Sequence, residues 1–313
     1  MKYENGINQD VIFSTERKAL KTATEEFALG RFAAKKTVAK YSGNQLKCHY
    51  FEHLPDDAVK DLTEGVTPDS ANLVRVSKTG VLKRQGLVIP FTDEFQEQFE
   101  NSPEFHFEAG QEIGYSIGTK LDKDAFSTLL NDAGNTVDVT AVGGWDEAFK
   151  SARKLFRKAN VPQLTSIKTG STKVGTSPVN AGWYMFVDVD DADAVREATD
   201  FLSVEDYGYT DGVVKNEIGV IKSLGIRIVE SLNIGSGMAL MIGDEAFADL
   251  GLSGKNRIEY ITKPLGSGVT VDSSGATDVI RNDALDQMGS TGGKTRNSCM
   301  TLFPERILKF TNL

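Results

Sequence analysis

Apolar residues recur with helical spacing in three segments of the first half of the chain, and each segment is predicted to form a helix. The first is Ser14–Leu29, with Gly30 as a natural stop. Its apolar stripe is thin and consists of Leu20, Ala23, Phe27 and Ala28. Because short isolated helices are marginal in water, this helix needs a partner surface.

The strongest helix signal runs from Pro103 to Ala133. Ser102 is a suitable N-cap residue, Pro103 fits the first turn, and Gly134 ends the helix. An apolar seam recurs every fourth residue at Phe105, Ala109, Ile113, Ile117 and Leu121.

Three glycines form a second four-residue series in this helix, at Gly110, Gly114 and Gly118. Glycine costs about 1 kcal/mol relative to alanine inside a helix. Three glycines in register therefore predict that another backbone packs closely against the helix. A bend or an early helix end is the alternative interpretation.

The third helix is predicted at Trp145–Asn160. One face is apolar and carries Trp145, Ala148, Phe149, Ala152, Leu155, Phe156 and Ala159. The other face is basic and carries Lys150, Arg153, Lys154, Arg157 and Lys158. A basic amphipathic helix is compatible with a membrane surface, but a solvated outer face is the favoured interpretation.

An acidic block without a single Lys or Arg lies upstream of the basic helix. Its members are Asp93, Glu94, Glu97, Glu100, Glu104, Glu108 and Glu112. The two blocks could pair within one subunit or between neighbours. We hypothesise pairing between neighbouring copies, which raised salt would weaken.

Two strands, Leu46–Phe51 and Val81–Phe91, flank a long polar stretch, His53–Thr79. The stretch contains Pro55, Gly65 and Pro68 and has almost no core-forming run. Such a long connection is uncommon within a compact domain unless it has its own function. We therefore expect an extended arm whose apolar residues are buried against something outside the subunit.

The second half of the chain predicts mainly strands. The expected strands are Thr136–Val142, Trp183–Val189, Ile218–Glu230, Met238–Ile242, Arg257–Thr262 and one last strand in the segment from Cys299 to Phe310. Loops are expected at Gln163–Ala181 and Val204–Glu217. A helix capped by Asp190 or Asp191 should run to about Phe201.

Composition is that of an ordinary globular protein, with 313 residues, 40% apolar and 25% charged. The net charge of −9 argues against a general nucleic-acid binder, since affinity for phosphate comes from clustered Lys and Arg. Cys48 and Cys299 are the only cysteines, which is typical of a reducing compartment. Without a signal peptide or a spanning apolar run, the chain is expected to be soluble and cytoplasmic at synthesis.

Motifs that carry chemistry are incomplete. Met288–Thr295 resembles a phosphate-binding loop, but Met288 stands where the pattern needs glycine. Ser151 and Lys154 fit the S-x-x-K of penicillin-recognising enzymes, and Lys168–Gly170 fits their K-T-G, but only 13 residues separate the two elements and S-D-N is missing.

Metal sites are similarly incomplete. Asp188, Asp190, Asp191 and Asp193 lack the glycine and final Glu of a calcium loop and are better explained by helix capping. Cys48, His49 and His53 lack a fourth ligand. We expect no catalytic residue, cofactor or metal.

Several short motifs follow one another in a fixed order from about residue 20 to the C-terminus. They are Leu62–Pro68, Gly175–Pro178, Ile218-Gly, Gly225–Glu230, Lys263–Gly266 and Asp286–Ser290. In this order and spacing the sequence resembles the major capsid proteins of N4-like tailed bacteriophages. It departs from them at Gly292–Asn297, where members often have an apolar or aromatic run.

The resemblance implies an α+β fold of the Hong Kong 97 capsid type. The implied parts are an N-arm (1–44), an E-loop hairpin (45–92), a spine helix with the P-domain (93–181), an A-domain (about 182–262) and return strands to the P-domain (263–313). It also implies a structural protein that self-assembles into hexamers and pentamers of an icosahedral head around the DNA genome, in the virion and, during assembly, in the host cytoplasm.

The implied partners are other copies of the chain, together with scaffold, portal and decoration proteins. Packaged double-stranded DNA would lie nearby without specific contact, and no membrane is expected. The candidate subunit-interface residues are Leu54, Val59, Leu62, Glu64, Val66, Leu73, Val74, Val76, Glu104, Glu108, Arg153 and Arg157. Alternatives are an encapsulin-like shell protein of the same fold and a hydrolase using Ser151 and Lys154.

Overall fold

The computed structural model describes residues 9–51, 54, 58–61, 64, 70–92, 94, 102–168, 176–207, 214–255, 257–263, 269–270, 281–282 and 288–313. Its helices are α1 (Gln9–Glu26), α2 (Ser102–Asn131), α3 (Val139–Val142), α4 (Trp145–Lys158), α5 (Val189–Arg196) and α6 (Val204–Tyr207). Single 3-10 turns lie at Leu29–Arg31 and Pro304–Arg306.

Strands make up most of the remaining described chain. They are β1 (Ala34–Val38), β2 (Gln45–Phe51), β3 (Arg75–Val81), β4 (Lys83–Thr92), β5 (Asn135–Asp138), β6 (Leu164–Lys168), β7 (Thr176–Val187), β8 (Phe201–Ser203), β9 (Glu217–Ile221), β10 (Ile226–Glu230), β11 (Met238–Ile242), β12 (Phe247–Leu252), β13 (Ile258–Lys263), β14 (Val269–Thr270), β15 (Arg281–Asn282), β16 (Met288–Thr301) and β17 (Ile307–Thr311).

Two mixed sheets form the framework. An eight-stranded sheet has the order β5-β17-β11-β7-β10-β9-β8, with β6 also paired to β7. A five-stranded sheet has the order β1-β12-β16-β13, with β4 on the other edge of β16. The pairs β2-β3 and β14-β15 form separate two-stranded sheets.

Helix α2 lies on the five-stranded sheet through the predicted apolar seam. Ala109, Ile113, Ile117 and Leu121 are all buried, and Phe105 is half-buried. A Cβ atom at Gly293 of β16 would lie 2.5 Å from the Ile113 side chain, so this glycine lets the helix approach the sheet. The long helix and its seam are confirmed.

The glycine series of α2 faces α1, as a closely packed backbone requires. A Cβ atom at Gly110 would lie 2.3 Å from the Thr15 side chain, and one at Gly118 would lie 2.9 Å from the Ala23 carbonyl oxygen. The predicted close neighbour of α2 is therefore α1, and α2 is in turn the partner surface that the thin apolar stripe of α1 needs.

Helix α4 covers the eight-stranded sheet with its predicted apolar face. Phe149, Ala152 and Phe156 are buried, and Trp145 stacks on Phe149 with ring centroids 5.2 Å apart. Below them, every residue of Trp183–Val187 in β7 is fully buried, as a strand covered on both faces should be.

Several sequence-based boundaries were wrong because local hydrogen bonds took precedence over strand alternation. The predicted strand Thr136–Val142 ends at Asp138, whose carboxylate accepts a hydrogen bond from the Ala141 N–H at 2.9 Å and so starts α3. Helix α5 begins earlier than expected, after Asp188, and ends at Arg196 rather than near Phe201. The expected terminal strand is interrupted by the 3-10 turn at Pro304–Arg306.

Other strands were missed. The expected loop Gln163–Ala181 contains β6 and the first half of β7, and the expected loop Val204–Glu217 begins with helix α6. Strand β12 was not predicted. Strand β16 includes the phosphate-loop-like Met288–Thr295, which pairs on one side with β4 and on the other with β13, so that this segment is extended.

Candidate functional site

Strands β2 and β3 form a hairpin that lies outside the two main sheets. Their register pairs Leu46 with Gly80, Tyr50 with Val76, and Phe51 with Arg75. Since side chains alternate along a strand, the hairpin has an inner and an outer face. The inner face is partly or fully buried, whereas the outer face is exposed.

The inner face packs on the hairpin's own subunit. The Tyr50 ring lies 4.9 Å from that of Phe303, between centroids. A Cβ atom at Gly80 would lie 2.3 Å from the Leu250 side chain, so glycine is needed for this approach. The base of the hairpin is therefore anchored to the five-stranded sheet.

This arrangement corrects one expectation. His53–Thr79 was expected to have no partner within its own subunit, but Arg75–Thr79 belongs to β3 and pairs with Lys47–Phe51 of β2. The expectation failed because the exposed face of β3 carries Arg75, Ser77 and Thr79, and Lys78 on the inner face breaks the apolar alternation that identifies a strand. Among the described residues of the stretch, those before Arg75 lie outside the hairpin ladder.

The segment between the two strands carries exposed apolar side chains. The exposed fractions are 44% for Leu54, 87% for Val59, 61% for Leu73 and 54% for Val74, and Glu64 is exposed as well. Val76 is half-buried on the inner face. Leu62 and Val66 lie outside the described residues.

Sequence reasoning did not select two further apolar residues of the hairpin's outer face. Phe51 is 60% exposed and Val81 is 43% exposed, both on the side away from the subunit. The signal was present, since alternating residues of β2 point to opposite faces. Alternation by itself predicts a strand and does not identify what covers its outer face.

The charged candidates lie on two helices. Arg153 and Glu108 are exposed, and the Arg157 guanidinium lies 5.1 Å from the centre of the buried Trp183 ring. Only the backbone of Glu104 is described. Within the described part of the chain no ion pair joins Glu108 to Arg153 or Arg157.

The catalytic alternatives find no support in local geometry. Ser151 is half-buried and Lys154 exposed on the regular helix α4, and the K-T-G segment lies largely outside the described residues. His49 and Cys48 are consecutive in β2 and so point to opposite faces. Across the described ranges, no group of three or more His, Cys, Asp and Glu is arranged to hold a metal ion.

His106 is buried on α2, against Phe91, and burial lowers its pKa. Its surroundings are therefore those of a neutral core histidine. None of the described helices is long and apolar enough to cross a membrane.

Residues 75–292 match a family model described as "Phage capsid protein". The chain belongs to this phage capsid protein family. The matched region begins at β3 of the hairpin and reaches into β16, so it includes α2 and most of both sheets. No curated protein matches the sequence.

Solved structures share the fold of this capsid protein. The Microbacterium phage Oxtober96 structure is 15% identical with a TM-score of 0.59, covering 91% of this chain and 90% of that one. The head structure of Helicobacter pylori bacteriophage KHP40 is 11% identical with a TM-score of 0.58, covering 94% and 91%. A virus-like particle from Pyrococcus furiosus is 9% identical with a TM-score of 0.54, covering 95% and 98%.

These similarities confirm the predicted resemblance to phage capsid proteins and the α+β capsid fold. The narrower resemblance to the N4-like group stays a prediction.

Proposed function

We propose that this capsid protein is the major capsid protein of a tailed phage, which assembles into hexamers and pentamers of an icosahedral head around the DNA genome. The observation that carries the proposal is the family match, which extends over more than half of the chain and includes the framework of both sheets. The anchored hairpin with an exposed apolar end supplies a physical means of assembly.

The proposed assembly contact begins at the hairpin. Its inner face is buried in its own subunit, which fixes the direction of β2 and β3, while Val59, Leu73 and Val74 remain exposed. Burial of apolar area contributes about 25 cal/mol per Å². A neighbouring copy that covers these side chains would therefore stabilise the contact.

Such a contact joins different surfaces on the two copies. Repeated heterologous contacts close into rings when the rotation between subunits permits, and rings of two sizes can tile a closed shell. In this proposal residues 45–92, which comprise the β2-β3 hairpin, its connecting segment and the following strand β4, are the E-loop, and α2 is the spine helix. Residues 1–44 are the N-arm, the P-domain includes α4, residues 182–262 are the A-domain, and residues 263–313 return to the P-domain.

Charge complementarity supplies a second proposed contact. The exposed Glu108 lies on α2 and the exposed Arg153 on α4, without a partner for either in the other's helix within the described chain. Pairing between copies would orient neighbours, because electrostatic complementarity fixes register more than it adds affinity.

The further partners are also proposals. A head of this kind is built with scaffold, portal and decoration proteins, is assembled in the host cytoplasm and encloses double-stranded DNA. The net charge of −9 would limit adhesion to packaged DNA. We assign no catalytic residue, in keeping with a structural role.

A second candidate is an encapsulin-like shell protein, favoured by the similarity to the virus-like particle from Pyrococcus furiosus. The two candidates differ in what the assembled shell encloses. A phage head encloses DNA, whereas an encapsulin-like shell encloses a cargo protein.

Negative-stain electron microscopy of the purified full-length chain tests the proposal. We expect closed shells or rings of five and six subunits, together with a fast-sedimenting fraction in analytical ultracentrifugation. A protein that stays monomeric at high concentration would contradict it. Nuclease-protected DNA in particles from infected cells would distinguish a phage head from a shell that protects a cargo protein.

A further inference from the structure

A basic cavity lies beside the outer edge of the five-stranded sheet, away from the proposed assembly arm. Strand β1 pairs with β12, which pairs with β16. In the β1-β12 pair, Lys35 is therefore opposite Asp249. Thr37 is opposite Gly251, two residues further along and on the same face of the sheet. Asn297 of β16 lies beside Gly251 on the other side.

The floor of the cavity holds more positive than negative charge. Lys35 donates a hydrogen bond to Asp249 Oδ2 at 2.8 Å, and Arg257 forms an ion pair with the same oxygen. The exposed fractions of these three side chains are only 5%, 3% and 5% for Lys35, Arg257 and Asp249. Two buried cations thus share one carboxylate, and a buried charge without full compensation is costly.

The remaining hydrogen bonds hold these cations in place. A second Lys35 N–H donates a hydrogen bond to the Gly30 carbonyl oxygen at 2.5 Å. One of the three ammonium protons is therefore without an acceptor among the described residues. With the Asn297 amide turned so that its oxygen faces Arg257, that oxygen accepts from Arg257 Nε at 3.1 Å and the amide nitrogen donates to the Leu250 carbonyl oxygen at 2.9 Å. The two cationic groups are therefore fixed rather than free to rotate away.

Gly251 leaves the space above this floor open. Its backbone does not require glycine, because its φ lies outside the left-handed region, and a Cβ atom there would meet only the Asn297 side-chain amide, at 3.3 Å. The cavity has a volume of about 70 Å³. A cavity of this size accommodates more than one water molecule and therefore a small polyatomic ion.

Further lysines surround the opening. Lys255 lines the cavity, and the Lys40 ammonium nitrogen would lie 3.2 Å from a Cβ atom at Gly254, another lining residue. Lys255 is paired with Glu259, so Lys40 supplies the positive charge at the mouth that no described carboxylate offsets. Asp249 is the one acidic side chain among the residues that line the cavity.

We propose that this cavity binds a small tetrahedral oxyanion of the phosphate class. Arg and Lys are the residues that bind phosphate oxygens through charge-assisted hydrogen bonds. An anion there would neutralise the excess charge of the Lys35–Asp249–Arg257 cluster and connect β1 to β12. The ligand is a free ion rather than a duplex phosphodiester, because the cationic floor is almost inaccessible and the cavity is too small for a nucleic-acid backbone.

Thermal unfolding and isothermal titration calorimetry of the full-length chain with inorganic phosphate test the proposal. At ten times its Kd, phosphate should raise Tm by about 2–4 °C over sodium chloride of the same ionic strength. Acetate at that ionic strength should protect less. No additional protection by phosphate, or equal protection by acetate, would overturn the proposed ligand class.

Variants locate the binding. Gly251→Ala places a methyl group in the cavity and Lys40→Gln removes a charge at its mouth, and each should weaken phosphate binding by at least about tenfold, or 1.4 kcal/mol. Lys123→Gln, an exposed position on α2, is the matched control and should bind as the wild type does. The Lys40 variant keeps the test valid if Gly251→Ala folds poorly. Unchanged binding in Lys40→Gln would place phosphate elsewhere and refute the site.

Discussion

A Cβ atom added at Gly114 would lie 2.4 Å from the backbone carbonyl oxygen of Ala19. No side-chain rearrangement can relieve this contact, because both partners are backbone. Helices α1 and α2 therefore approach through their main chains at Gly114 and Gly118, whereas at Gly110 the nearest atom is in the Thr15 side chain. Helix α1 is therefore held on α2 by close backbone packing as well as by burial of its thin apolar stripe.

Gly114→Ala should destabilise the subunit although alanine is the better helix former. The gain in helix propensity is about 1 kcal/mol, whereas overpacking a tight contact costs typically 1–3 kcal/mol. Chemical denaturation should show a net loss, and limited proteolysis should cleave α1 faster. The exposed Glu112→Ala on the same helix is the control, with little change expected. A Gly114→Ala protein as stable as the wild type would show that α1 is not closely held.

This contact also shows how far sequence reasoning reaches. The four-residue glycine series predicted a close backbone and the four-residue apolar seam predicted a buried helix face, since both features recur with the period of the helix itself. Neither pattern could say that α1 was the neighbour. The tertiary fold decides which element packs against α2, and neither local pattern carries that information.

Strand β16 shows where such reasoning fails. Its Gly, Ser, Thr and Lys composition resembles a phosphate loop or a linker, but a Cβ atom at Gly292 would lie 2.6 Å from the Leu87 carbonyl oxygen. The glycine is there because strand β4 passes closely. Strand β3 was missed for a related reason, since its inner face carries Lys78 and Gly80 beside Val76 and so lacks an apolar alternation. In both segments, contacts with neighbouring elements rather than local sequence determine that the chain is a strand.

A buried ion pair in the eight-stranded sheet should be important for stability. Arg227 contacts Glu217, with exposed fractions of 8% and 0%, and the Glu217 carboxylate also accepts from the Val214 N–H at 2.9 Å. Arg227→Met leaves a buried carboxylate without its cation and should reduce the free energy of unfolding by about 3–5 kcal/mol. Arg196→Met, which removes a half-exposed partner of Asp193, should cost less than about 1 kcal/mol. Equal losses in urea denaturation would contradict this difference.

Asp122 should make the stability of the subunit depend on pH. Burial, together with repulsion from Glu26, raises its pKa to about 6, although hydrogen bonds from Asn233 and the Leu29 N–H oppose the shift. The folded state thus holds the proton more tightly than the unfolded state. The stabilisation that the protonated Asp122 carboxyl contributes to the folded state is complete below about pH 4 and is lost as the pH rises through 6. Asp122→Asn should remove this loss, on the order of 2–3 kcal/mol.

Asp124 is the matched control on the same helix, because folding lowers its pKa, whereas folding raises the pKa of Asp122. Partial burial raises its pKa, but hydrogen bonds from Lys120 and Gln85 outweigh this and hold the pKa below its usual value. Its contribution is present at neutral pH and is lost as the pH falls through the folded pKa. Asp124→Asn should therefore reduce stability at pH 7 and converge with the wild type in acid. Parallel pH profiles for the two variants in thermal unfolding would contradict both assignments.

The proposed pairing between charged helices can be tested by charge exchange. Arg153→Glu should slow assembly, measured by light scattering, and assembly of the wild type should weaken at raised salt. The double variant Arg153→Glu with Glu108→Arg restores opposite charges and should recover much of the rate. Arg153 is preferred to Arg157, which also packs over Trp183. Assembly that is indifferent to salt and to both variants would remove this contact from the account.

The most direct test of assembly through the hairpin is deletion of its exposed end. Replacing residues 55–73 with a short Gly-Ser turn leaves the β2-β3 ladder and its contacts with Phe303 and Leu250 in place. Circular dichroism and thermal unfolding would establish that the variant is folded, and electron microscopy would compare it with the wild type. The account predicts shells from the wild type and a folded subunit without shells from the variant. Normal shells from the variant would contradict it.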